Sequence, residues 1–227
     1  MNRLLPLALL SGLVAPLPAV AYEAGDIIFR AGATTVAPND DSDAIVIPTE
    51  PATTLPSGVS VDDGLALGLI GAYMVTDHWG VELLAATPFE HDLDADDLGV
   101  DAGSTKHLPP TLSLQWYPRG NQPGIQPYIG LGINYTLFFD EDLSAEVSGA
   151  VRSLLGASTA SLELEDSFGL AAQAGVDIPL SDRWAINAGV WYIDLGTTAD
   201  IKTDVGTVSF DVDIDPWVYN IGIAYKF

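Results

Sequence analysis

From Trp217 to Phe227 the odd-numbered residues are Trp217, Tyr219, Ile221, Ile223, Tyr225 and Phe227, and the even-numbered ones are Val218, Asn220, Gly222, Ala224 and Lys226. A period of two is that of a β-strand, whose side chains point to opposite faces in turn. One face of this strand is large and apolar throughout. A soluble sheet buries such a face under other protein. A membrane barrel turns it to lipid and sets aromatic rings at the water boundary.

The same alternation recurs upstream. Period-two runs predict strands over Asp26–Val36, Gly64–Thr76, Trp79–Phe89, Lys106–Tyr117, Gln126–Phe139, Leu162–Ile178, Trp184–Ala199 and Val208–Phe227. In their central stretches no charged residue falls on the apolar face; Arg30, Glu82, Asp177 and Lys226 all fall on the other one. A Lys or Arg facing lipid at mid-membrane costs roughly 2–4 kcal/mol, so a bilayer enforces this exclusion.

Connection lengths add direction. Short turns are expected near Asp77-His78, over 118–125 and over 179–183, and longer, acidic loops over 37–63, 90–105 and 140–161, with a shorter connection over 200–207. Trp79, Trp116, Trp184 and Phe227 share the apolar face at the short-turn ends and predict one aromatic girdle; Tyr135, Tyr192 and Trp217 predict the other. Hydrocarbon tolerates no open sheet edge. The expected fold is therefore all-β, a closed eight-stranded antiparallel transmembrane β-barrel. Pro88, Pro109 and Pro110 cannot donate to a ladder and predict bulges or loosened pairing at the long-loop rim. Residues 144–157 place Val147, Val151, Leu154 and Leu155 at helical spacing, which leaves a short helix or an irregular loop open.

Arg3, the apolar run Leu4–Val14 and the small-x-small motif Ala19-Val20-Ala21 form an expected secretory signal peptide over 1–21, with the barrel over 22–227. Without cysteine there is no lipid anchor, disulfide or thiolate metal site. Eight basic against 31 acidic residues, a formal charge of −23, exclude a nucleic-acid footprint.

Several segments resemble the outer membrane protein W (OmpW) family of small barrels: Gly80–Phe89 (GVELLAATPF), His107–Leu112 (HLPPTL), Pro127–Phe139 (PYIGLGINYTLFF), Val190–Tyr192 (VWY) and Asp215-Pro216-Trp217 before the final strand. The acidic loops over 37–63 and 140–161 match that family poorly. The resemblance implies a Gram-negative outer-membrane barrel with a narrow hydrophobic lumen that passes small apolar molecules, and it sets Leu84 and Trp191 at the lumen's constriction.

Parity directs many Gly and Ala residues inward, which predicts free space in the lumen. The inward Ile70, Met74, Leu84 and Trp191 are the expected gate or ligand lining. Arg30, Glu82, Asp177 and Lys226 are the expected inward polar cluster towards the short-turn end. Expected partners are outer-membrane lipid and lipopolysaccharide, small hydrophobic solutes, and the barrel-assembly machinery through the terminal strand ending at Phe227; no cofactor is implied. The favoured function is a narrow hydrophobic channel or carrier. The alternative is a structural or adhesion barrel with a plugged lumen and functional loops. An enzyme built on His91, His107 and Ser104 lacks any known catalytic spacing, and these histidines read as solvated loop residues. Asp92, Asp94, Asp96 and Asp97 lack the glycine and terminal Glu of a calcium loop and read as a solvated acidic loop.

Overall fold

The computed structural model describes residues 21–55 and 58–227; all but the last residue of the expected signal peptide lie outside them. Eight strands form the wall: β1 (Ile27–Ala37), β2 (Gly64–Met74), β3 (Trp79–Ala86), β4 (Thr111–Trp116), β5 (Gln126–Leu143), β6 (Ser167–Pro179), β7 (Trp184–Ile193) and β8 (Trp217–Lys226). Each pairs antiparallel with its neighbours in sequence, and β8 pairs with β1, so the sheet closes without an edge. Closure satisfies every ladder internally, as a strand surrounded by lipid requires. No described helix is long and apolar enough to cross a membrane.

The parity rule describes the wall. Leu131 and Phe168 lie outward at 72% and 67% exposure, with Ile27, Leu67, Leu83, Leu114, Ile186 and Ile223 on the same outer face. Trp79 sits beside Trp116 in the ladder, and Trp184 packs on Tyr225 at 4.7 Å, near the short turns. At the other end, the Tyr135 hydroxyl donates to Asp166 at 2.9 Å and the Tyr192 hydroxyl to Asp215 at 3.1 Å. Those rings keep their bodies in the apolar band and their hydroxyls at its polar edge.

The long connections depart from expectation. They are not open loops but a second, folded lobe. Phe89–Ala95 and Val100–Leu108 form a hairpin that also pairs with Val59–Val61 and with the upper end of β5. Gly196–Thr203 and Gly206–Asp213 form another hairpin, flanked by Ala160–Leu164 and Asp41–Ser42. The seventh and eighth barrel strands are accordingly shorter than their periodicity suggests, and the connection between them runs over 194–216. Of the two options for 144–157, the helix forms: α1 (Ala145–Leu155) starts at Ser144, whose hydroxyl accepts from the Val147 N–H, and ends at left-handed Gly156.

Near the lobe the pairing of β3 with β4 is interrupted, as is that of β6 with β7 above Ala171↔Ile193. Between β3 and β4 the register runs to Leu84↔Thr111 and resumes at Phe89↔His107. Residues 85–88 and 108–110 between those pairs carry no ladder to one another, although Ala85 and Ala86 still pair with β2 and Leu108 with β5, and Pro88, Pro109 and Pro110 stand there. A proline has no N–H to give a neighbouring strand.

Candidate functional site

The lower lumen is packed. Arg30 donates from Nε to Asp177 at 3.1 Å, from one terminal nitrogen to Glu82 at 3.0 Å, and from the other to Asp177 at 2.6 Å and the Tyr117 hydroxyl at 3.0 Å. Tyr22 reaches in from the N-terminal segment and donates to Asp177 at 2.8 Å, and Asn187 donates to the same carboxylate at 2.8 Å. Gln115 donates to Glu82 at 2.6 Å and to Gln173 at 3.0 Å. A buried ion pair persists only when its remaining lone pairs find donors, and this network supplies them to Asp177 in full measure. Below it lies an apolar layer of Ile28, Met74, Tyr117 and Tyr128.

Three expectations fail here. Lys226 is not part of the cluster: its ammonium lies 3.5 Å from Asp26 and donates to the Ala21 carbonyl, at the short-turn rim. Inward direction fixes a side chain's face, not its height. Met74 likewise belongs to the layer beneath the ion pairs, apart from the other three residues of the expected gate. Nor do the inward glycines leave the lumen empty. The Tyr128 ring occupies the space that a Cβ on Gly175 would need, and a Cβ on Gly189 would come within 2.6 Å of the Trp191 ring. Small residues here make room for large neighbours.

The free space lies higher. A cavity of about 230 Å³ sits inside the upper lobe, walled by Ile47, Val147, Val151, Leu162, Ile201 and Phe210 among others, and among the described residues no Asp, Glu, Lys or Arg lines it. Leu98 and Leu154, both about half exposed, line it as well and bring its rim to the outside. Ile70, Leu84 and Trp191 are buried, Trp191 at 0% exposure, and belong to the same continuous apolar cluster as these walls without lining the cavity itself. The structure thus brings three of the four expected gate residues together and sets them in one cluster with the cavity walls.

Leu162, Ala199 and Val208 fell within expected strands, but that they wall a cavity went unread because the acidic residues beside them dominate the sequence. Phe89, His91, Leu93 and Ala95 are buried while Glu90, Asp92 and Asp94 face out, and Val208, Phe210 and Val212 alternate in the same way with Ser209, Asp211 and Asp213. The signal was a period of two that continues past the membrane band. His91 and His107 are accordingly not solvated. Their rings stack at 4.8 Å in the cavity wall. Burial pushes both imidazoles below the usual histidine range; for His107, with His91 adding to the effect, down to about 3.

Comparison with known proteins gives a consistent result. The model of the OmpW family matches residues 23–227. Outer membrane protein W of Vibrio cholerae serotype O1 is 42% identical over 214 residues, 92% of each chain. The crystal structure of the outer membrane protein OprG from Pseudomonas aeruginosa superposes with a TM-score of 0.78 at 43% identity, covering 91% of this chain and 98% of that one. The solution structure of the E. coli outer membrane protein W gives 0.59 at 40% identity, covering 91% and 100%.

Proposed function

The chain belongs to the OmpW family of Gram-negative outer-membrane barrels, and on that premise we propose that it carries small apolar solutes from the cell surface into the outer membrane. It is an outer-membrane barrel, not an enzyme. The observation that carries the reading is the uncharged cavity in the upper lobe, whose rim reaches outside at Leu98 and Leu154. Apolar cavities of about 150 Å³ stay dry and take a benzene-sized guest, so this one is large enough for a compact hydrocarbon. Each Å² of guest surface moved out of water contributes roughly 25 cal/mol.

The Arg30–Glu82–Asp177 network and Tyr22 close the straight path through the lumen. We assign the exit to the seam at 85–88 and 108–110, where β3 and β4 carry no ladder to each other, next to the cavity, where Phe89 and His107 pack at 5.4 Å. Ile70, Leu84 and Trp191 are the gate beneath the cavity in this reading. Outward-facing Phe227 is its handle for the barrel-assembly machinery.

A second reading, a structural or adhesion barrel, draws on the packed lower lumen. Uptake separates the two. Gram-negative cells lacking their own homologues are given this chain or an empty vector, and initial uptake of naphthalene is measured. Faster uptake with the chain, abolished when Val147→Trp fills the cavity, is expected. Equal uptake with and without the chain overturns the carrier reading and leaves the structural one.

A further inference from the structure

One stretch of the cavity wall carries buried polar atoms that lack partners among the described residues. In the hairpin 89–108, His91 lies opposite Thr105, and the His91 and His107 rings stack at an interplanar angle of 24°. All three residues line the cavity. His91 Nε2, His107 Nε2 and Thr105 Oγ1 are buried without a hydrogen-bond partner among the described residues. Three such atoms in one wall are unusual, because buried polar groups are almost always paired. Gly64 packs so close to the His91 ring that a Cβ there would meet it at 2.6 Å, which fixes the ring between Gly64 and His107.

Chemistry assigns the role of one nitrogen. His91 Nδ1 lies 2.6 Å from the Asp62 carbonyl. A carbonyl only accepts, so Nδ1 carries the proton, and Nε2 of the neutral ring is left as a lone-pair acceptor. Burial keeps both rings uncharged at neutral pH. The patch therefore offers no counter-charge to a carboxylate. It offers the His91 Nε2 acceptor and the Thr105 hydroxyl, with His107 Nε2 beside them. A hydrocarbon guest leaves all three unpaired; a guest with a hydroxyl supplies a donor to Nε2 and an acceptor to Thr105.

We propose that His91, His107 and Thr105 form a recognition patch for small neutral molecules carrying one hydroxyl on an apolar body, such as phenols and alkanols, so that the cavity selects them over the parent hydrocarbons. This rests on the reading of the cavity as a solute site and narrows its substrate class. A site built to pair a hydroxyl discriminates against the analogue lacking it, because its own polar atoms then stay unpaired.

The test uses the full chain in lipid nanodiscs at neutral pH, titrated with 1-naphthol and with naphthalene, with partition into protein-free discs subtracted. Wild type is expected to bind 1-naphthol roughly tenfold more tightly than naphthalene. His91→Phe should bring the two within about twofold while naphthalene still binds, and His91→Gln, which keeps an acceptor, should retain most of the preference. Heat-dependent gel mobility checks that each variant is folded. If it fails for His91→Phe, Thr105→Val supplies the same comparison. Equal affinities in wild type, or a preference unchanged in His91→Phe, overturn the patch while the cavity reading stands. Binding of neither probe above protein-free discs overturns both.

Discussion

Arg30 is the one cation among two buried carboxylates, and its hydrogen bonds to Asp177, Glu82 and Tyr117 tie β1 to β6, to β3 and to the residue that follows β4 across the lumen. Removing one partner of a buried pair leaves charge without compensation and typically costs about 3–5 kcal/mol. Arg30→Met is therefore expected to lower the urea midpoint of the refoldable protein by that order. Adding Glu82→Gln and Asp177→Asn should return much of the loss. His107 makes a pH prediction. Its folded value of about 3 lies below the ordinary 6.5, so above 6.5 its contribution to stability is fully present. Between 6.5 and 3 the unfolded lobe binds more protons than the folded one, and stability falls as pH falls; below 3 no further change is due to this group. His91 acts in the same direction. Thermal unfolding in detergent across that window should show the slope, and His107→Phe should flatten it. At this scale the sequence revealed which face Arg30, Glu82 and Asp177 occupy. It could not reveal that Lys226 and Met74 lie at other heights, because strand parity carries no information about position along the barrel axis.

The wall strands were legible because hydrocarbon imposes one rule on their outer face, and Leu131, Phe168 and Ile223 obey it without exception. The first upper hairpin was not, although Phe89–Ala95 alternates as cleanly as any wall strand. There the outer face meets water, so Glu90, Asp92 and Asp94 replace the apolar residues and the segment resembles a solvated loop. The prolines read correctly as a disturbance of pairing, and the register stops where they stand. Returning N–H donors to that seam should close it. Replacing Pro88, Pro109 and Pro110 together by Val is expected to slow naphthalene uptake about fivefold or more, the worth of roughly one restored hydrogen bond, without lowering thermal stability. Unchanged uptake in a folded variant would move the exit elsewhere.

The molecule as a whole is a barrel that is filled below and hollow above. Glycine and alanine in the wall suggested a hollow lumen, but close packing set Tyr128 over Gly175 and Trp191 over Gly189. The hollow instead arises where two hairpins, α1 and the top of β5 turn their apolar faces towards one another above the membrane band. The most direct measurement is a crystal structure of the protein grown from lipid with 1-bromonaphthalene and recorded at the bromine edge. The account predicts an anomalous peak inside the upper lobe, between Val151, Leu162, Ile201 and Phe210. Bromine found only in the surrounding lipid, with that space empty, would contradict it.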